Sequence, residues 1–352
     1  MHLSDLWFVA IAVLWTGYFV LEGFDFGVGV LLPVLGRADA ERRVMINAIG
    51  PVWDGNEVWL ITAGGAMFAA FPAWYATLFS GLYLPLLLIL VALIIRGVAF
   101  EYRGKRGDPR WAAGWDAAIV AGSLVPATVW GVAFANIVRG VPVNAAGHVT
   151  GSVFTLLSPY SLLGGLTTLA LFVSHGALFL ELKTAGELRA RATRLARQAG
   201  AAAIVAGGGF LAWTEASYRR GGWNGPGTAS VAVAALAAVA LVAAFLAIRA
   251  GRGGVAFTAS ALGITAAVAA LFTALYPDVL PSSTSAAYSL TTANAASEAN
   301  TLMVMTVVAA IFLPLVLAYQ SWTYWVFRKR LITPGVPPAS AAVDPAPGRD
   351  GR

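Results

Sequence analysis

The chain is 352 residues long, 59% hydrophobic and only 11% charged, with a mean hydropathy of +0.75. A water-soluble protein carries about 25% charged residues, so a soluble enzyme is excluded. The absence of cysteine also excludes disulfides, thiolate nucleophiles, iron–sulfur clusters and cysteine-type zinc sites.

Nine stretches are long and apolar enough to span a bilayer: 6–35, 50–71, 73–100, 112–138, 159–182, 200–217, 228–249, 255–276 and 299–327. They must be helices, because lipid offers no partner to exposed backbone groups and the sequence lacks the alternation of a barrel strand. The predicted fold is therefore all-α, a polytopic integral membrane bundle of about nine transmembrane helices. The N-terminal Met1-His2-Leu3-Ser4-Asp5 lacks the basic region of a signal peptide, so the first helix is expected to be a retained span. It carries Glu22-Gly23-Phe24-Asp25-Phe26-Gly27-Val28-Gly29. Ten residues separate Asp25 from Leu35, which at about 1.5 Å per residue sets it near the midplane. Gly23, Gly27 and Gly29 form a surface of small residues suited to close helix packing. They are not a nucleotide loop, since no strand precedes them and the third glycine is missing.

The second helix opens with Gly50-Pro51-Val52-Trp53-Asp54-Gly55-Asn56-Glu57-Val58-Trp59. A short hairpin between the first two helices is expected to set Asp54 and Glu57 below Asp25 and Glu22, as a ladder of carboxylates. Arg96 lies inside the third span and Glu101 and Arg103 mark its end. His175 lies in the fifth span, and the sixth is short and glycine-rich, with Gly207, Gly208 and Gly209. Residues 277–298 are expected to form an external loop. The membrane domain is expected to cover 1–330, and the proline-rich remainder, 331–352, to be a disordered cytoplasmic tail.

Charge orients the bundle. Arg37, Arg42 and Arg43 follow the first span; Arg103, Lys105, Arg106 and Arg110 the third; Lys183, Arg189, Arg191, Arg194 and Arg197 the fifth; Arg249 and Arg252 the seventh; Arg328, Lys329, Arg330, Arg349 and Arg352 the ninth. The opposite loops hold only Arg139, Arg219 and Arg220. The positive-inside rule then sets the N-terminus outside and the C-terminus in the cytoplasm. The net charge of +6 thus records topology and contact with anionic lipid, not nucleic-acid binding.

Ionisable groups inside a span are costly and are functional candidates by default. Glu22 and Asp25, and again Asp54 and Glu57, are spaced i, i+3 and share a helix face. Carboxyl groups in a low dielectric can take and give protons near neutrality, which suits a relay. Plainer readings stand beside this one. Asp54 and Glu57 suit the first turn of a helix, Asp25 could form a structural salt bridge with Arg96, and Arg96 could snorkel or pair. His175 could be a hydrogen-bonded structural histidine or a haem ligand, but three scattered histidines exclude a multi-haem chain. Trp53, Trp59, Trp74, Trp322 and Trp325 suit an interfacial aromatic belt.

At these residues the chain resembles subunit II of cytochrome bd-type quinol oxidases. The resemblance runs from the N-terminus to about residue 330 and rests on Gly23 to Gly29, Glu41 to Asn47, Trp53 to Ala66, Phe100 to Arg103, Gly131 to Phe134, and Pro314 through Trp322 to Tyr324. It implies a bacterial plasma-membrane complex that oxidises quinol outside and reduces O2 to water with cytoplasmic protons. The resemblance places haem b, haem d and the quinol-oxidising loop in subunit I, with none bound by this chain. It also implies that Asp25 and Asp54 line a proton path at the subunit I interface, to which spacing and depth add Glu22, Glu57 and Arg96. Some relatives hold a structural quinone or small accessory subunits, and some have His where Val52 stands. A proton-coupled secondary transporter and a purely structural assembly subunit remain the competing classes.

Overall fold

The computed structural model describes residues 2–220 and 227–332. Among these are α1 (Leu3–Leu35), α2 (Asp39–Ile49), α3 (Trp53–Ala70), α4 (Pro72–Gly81), α5 (Tyr83–Tyr102), α6 (Pro109–Arg139), α7 (Pro159–Lys183), α8 (Gly186–Arg220), α9 (Thr228–Arg249), α10 (Gly253–Leu275) and α11 (Ala299–Val326). Two short strands, β1 (Asp278–Leu280) and β2 (Leu290–Thr291), pair antiparallel in the loop before α11, with Asp278 opposite Thr291.

Among the described residues, eight helices are long and apolar enough to cross a bilayer. The ninth segment is α3, whose 18 residues reach about 27 Å at 1.5 Å per residue. It joins the same two ends: the N–H of Val52 at its start donates to the carbonyl of Ile49, the last residue of α2, and the carbonyl of Ala70 at its end accepts from Ser297 of the outer loop. Nine segments therefore connect the two faces, with α2 and α4 as additional short helices.

Three expectations change. The stretch 73–100 is two helices. Phe71 leaves the helical region before Pro72, and α4 ends at Leu82; α4 lies against the outer cap, where Thr77 donates to the Gly147 carbonyl at 2.9 Å. Only α5 then crosses. The first cytoplasmic loop contains α2, whose Val44, Met45, Ala48 and Ile49 are buried. The segment 200–217 is the second half of α8, 35 residues long, and the basic run to Arg197 is its cytoplasmic first half. The loop 277–298 is an ordered cap, since the N–H of Val141 donates to Pro281 and that of Ser283 to Val141. Leu331 docks back on the end of α7 through its N–H to the Lys183 carbonyl, 2.7 Å; the rest of the proline-rich tail, from 333, lies outside the described residues.

Lipid tails are as apolar as leucine, so helices in a bilayer associate through close packing rather than through burial from water. The glycines of α1 supply it. A Cβ on Gly27 would sit 2.9 Å from the Gly176 Cα of α7, and one on Gly23 would strike the Phe172 ring at 2.7 Å. Gly29 faces Ser123 of α6. With α1 drawn this close, Trp15, Tyr18, Phe19, Trp130 and Phe134 pack edge to face with centroids 4.8–6.4 Å apart. By contrast α11 is almost wholly exposed, with Leu302 its one buried residue.

Candidate functional site

Three elements converge at the polar face of α1. Arg96 of α5 is fully buried, and its Nη1 pairs directly with the fully buried Glu22 and with Glu57 of α3 at 3.2 Å. Its guanidinium also stacks over the Phe26 and Phe100 rings, 4.8 and 5.2 Å from their centroids. Gly122 of α6 permits this, since a Cβ there would meet the Arg96 Cβ at 2.5 Å. The salt-bridge reading proposed for Asp25 and Arg96 is thus realised by Glu22 and Glu57 instead.

Asp25 is fully buried one turn toward the cytoplasm. Its Oδ2 accepts from the Asn56 amide at 2.6 Å. The Asn56 Oδ1 accepts from the Tyr324 hydroxyl at 2.7 Å and the Gln320 amide at 3.3 Å, and the Gln320 Oε1 accepts from the Trp59 indole at 2.9 Å. The ladder is therefore two level rungs. Asp25 lies beside Asn56, and Glu22 lies beside Glu57 with Arg96 between them, because α1 extends past the start of α3 and the antiparallel helices pair side by side. Asp54 stands apart. It is exposed, and its carboxylate accepts only from the Gly55 N–H, 2.8 Å, so it lies at the outer end of the row.

The cluster is not saturated. Glu22 Oε2, Asp25 Oδ1, and Arg96 Nε and Nη2 are buried without a hydrogen-bond partner. Buried polar groups are otherwise satisfied in more than nine cases of ten, and water molecules are the usual remedy in a polar setting. The cluster sets three carboxyl groups, Glu22, Asp25 and Glu57, around one guanidinium, which bonds two of them.

A second charged group lies at the cytoplasmic end and behaves differently. Arg103 holds Asp116 of α6 through Nε at 2.5 Å and Nη2 at 3.1 Å, and Asp39 of α2 at 2.9 Å. Arg42 adds a bond to Asp116 at 3.0 Å, and Arg191 of α8 joins Glu41 at 2.5 Å to the Leu35 carbonyl at 3.0 Å. Partial burial would raise the proton affinity of Asp39 and Glu41. The hydrogen bond from Arg103 to Asp39, and those from Arg191 and the Arg37 and Ala38 N–H groups to Glu41, outweigh it and hold both carboxyls below the usual range.

His175 is buried, stacked on Phe257 at 4.4 Å, with Nδ1 3.1 Å from the Ser260 hydroxyl. A small cavity bordered by Ser174 and Ser260 holds about 10 Å³. No group of three metal-ligating side chains occurs among the described residues. The apolar cleft bounded by Phe19, Phe134, Phe172 and Phe210 holds about 50 Å³ and offers one unpartnered hydroxyl, Thr167. Of the tryptophans, Trp322 and Trp325 are exposed as a belt requires, whereas Trp74 is buried and Trp59 serves the Asn56 chain.

Asn56, Gln320 and Tyr324 had not been singled out as site residues. Asn56 hid within a motif read for its acids. Gln320 and Tyr324 gave a signal, two polar residues spaced i, i+4 in an otherwise apolar helix.

Residues 3–327 match the family described as cytochrome bd terminal oxidase subunit II. The chain is 43% identical over 329 residues to the cytochrome bd ubiquinol oxidase subunit 2 of Bacillus subtilis (strain 168), covering 94% of this chain and 97% of the relative. It is 39% identical over 354 residues to the cytochrome bd-I ubiquinol oxidase subunit 2 of Escherichia coli (strain K12), covering 92% and 93%. A solved bd oxidase from Geobacillus thermodenitrificans contains a chain of the same fold, with TM-score 0.76, 19% identity and coverage of 93% and 99%.

Proposed function

The chain belongs to the cytochrome bd terminal oxidase subunit II family, membrane-spanning subunits of a bacterial quinol:O2 oxidoreductase, and on that premise we propose that it is the haem-free half of such a complex, needed for assembly with subunit I and for delivering cytoplasmic protons to the oxygen site. Haem b and haem d reside in subunit I and supply the electron transfer and oxygen chemistry; quinol and O2 reach the complex there. This chain holds and passes protons.

The observation that carries the reading is one row of carboxyl groups that runs from an exposed acid to enclosed ones and ends in unsatisfied oxygens. Asp54 is exposed at the cytoplasmic end, Glu57 has a side chain 21% accessible, and Asp25 and Glu22 are fully enclosed. Each orphaned donor or acceptor costs about 1–3 kcal/mol, and four of them gather on Glu22, Asp25 and Arg96. Water seated on Asp25 Oδ1, Glu22 Oε2 and the free Arg96 nitrogens would join the two rungs into a continuous hydrogen-bonded path. Arg96 holds Glu22 and Glu57 at one level and keeps the inner rung from expelling its charge. Val52 occupies the position where some relatives have His, so the outer step runs from Asp54 to Asp25 without an imidazole.

Purification of the chain with its partner tests both parts. Haem bands are expected only in the two-subunit complex. Asp25→Asn is expected to slow O2 consumption on the order of a hundredfold, the worth of a positioned proton-transfer group, while the haem bands keep their intensity. Normal turnover with full haem content would leave the chain an assembly subunit. A haem-free preparation of this chain that moves solute against a proton gradient would make it a transporter.

A further inference from the structure

We propose that α11 sets the direction of hydrogen bonding at Asp25, with Gln320 and Tyr324 as positioning residues that hold the Asn56 amide so that its N–H, and never its carbonyl, meets the Asp25 carboxylate. The proposal rests on the proton-path reading and deepens it.

Donor and acceptor chemistry fixes the direction. An indole nitrogen only donates. The Trp59 Nε1 lies 2.9 Å from Gln320, so the Gln320 carbonyl must face Trp59 and its amide must face away, toward Asn56 at 3.3 Å. That amide donates, so Asn56 presents Oδ1 to it, and the Tyr324 hydroxyl donates to the same oxygen at 2.7 Å. Asn56 Nδ2 is then left for Asp25 Oδ2 at 2.6 Å and, more weakly, for the Leu21 carbonyl at 3.4 Å. Every link follows from the first. Trp59 is itself pinned, because its ring packs against Gly17 of α1, where a Cβ would overlap it.

The consequence reaches beyond structure. With Nδ2 donating, one lone pair of Asp25 Oδ2 is engaged, and Oδ1, the unpartnered oxygen, is the one left open to exchange a proton. The proton is therefore gained and lost at one defined oxygen, on the side away from α11. If the amide turned over, its carbonyl would oppose the carboxylate and Asp25 could meet it only by carrying its proton on Oδ2, out of the row. The helix best placed to supply this control is the one otherwise held least: among the described residues α11 has one buried side chain, and its other anchors are Trp7 at the outer end, through Leu302 and Thr306, and Lys183 at the inner end.

The test uses the whole two-subunit complex with Tyr324→Phe, Gln320→Leu, the double variant and Asp25→Asn. Phenylalanine keeps the ring that packs edge-on to Phe24 at 6.4 Å, so Tyr324→Phe removes only the hydroxyl. Infrared difference spectra on reduction report the carboxyl C=O stretch of Asp25, identified by its loss in Asp25→Asn. Each single variant is expected to slow O2 consumption about three- to tenfold, the rate equivalent of one net hydrogen bond, and to shift that stretch; the double variant is expected to exceed either. A double variant with wild-type rate and an unshifted stretch, beside a slow Asp25→Asn, overturns the positioning role and leaves the proton path standing. Wild-type turnover in Asp25→Asn overturns both.

Discussion

Arg96 and Arg103 lie seven residues apart on one helical stretch, both are buried, and each joins two carboxylates. Arg103 is satisfied. Two of its nitrogens make three bonds to Asp116 and Asp39, with Arg42 on the same carboxylate. Arg96 uses one nitrogen for two acids and leaves two nitrogens idle beside two idle carboxyl oxygens. The same residue types thus build a clamp at the membrane surface and a site inside it. Saturation of the central arginine, not charge, separates them.

The widest test of that contrast is loss of the central cation in each group. Arg96→Leu leaves Glu22 and Glu57 buried against each other, and breaking a buried pair costs about 3–5 kcal/mol. The expected outcome is little or no haem-containing complex, measured as haem recovered per membrane protein; near-normal recovery would mean that the inner acids are already neutral and need no partner. Asp116→Ala removes the shared acid of the clamp. It is expected to cost about 1–3 kcal/mol, seen as a lower thermal midpoint, with turnover per haem unchanged because Asp116 lies outside the carboxylate row. A proportionate fall in turnover would merge the two regions.

Acid gives a gentler test. Asp39 and Glu41 are held below their ordinary range in the folded protein, so their contribution to stability is present above the unfolded carboxylate values, about 3.9 and 4.3. It is lost as pH falls through the lowered folded values. Hydrogen exchange of α2 amides should stay slow at neutral pH and quicken only in strong acid, and Glu41→Gln should show the quickening at all pH values. Rapid exchange of α2 in the wild type at neutral pH would deny the clamp. The smallest structural effect belongs to Asp54→Asn, an exposed substitution expected within about 0.5 kcal/mol of wild type. Its turnover is nevertheless expected to fall, and wild-type turnover would move the mouth of the path to Glu57.

The bundle was legible because its signals are local. Each apolar run, each basic loop and the α1 glycines report helix, side and packing without reference to distant parts. Glu22, Asp25, Glu57 and Arg96 could be picked out for the same reason, as charges where charge is costly. Pairing was not legible, because depth counted from helix ends assumes that neighbouring helices begin level, and α1 overshoots α3. The break at Leu82 was hidden because α4 is as apolar as the span it precedes. Asn56, Gln320 and Tyr324 are neutral and cost a span little, so only their convergence from 264 and 268 residues away shows what they do.

The account stands most directly on proton uptake during O2 reduction. In the purified complex, with a pH-indicating dye on the cytoplasmic side, Asp25→Asn should leave oxygen binding at the haem unchanged and delay dye response and water formation together, on the order of a hundredfold. Uptake at the wild-type rate, with haem content intact, would show that protons reach the oxygen site by another route and that the unsaturated cluster between α1, α3 and α5 does not carry them.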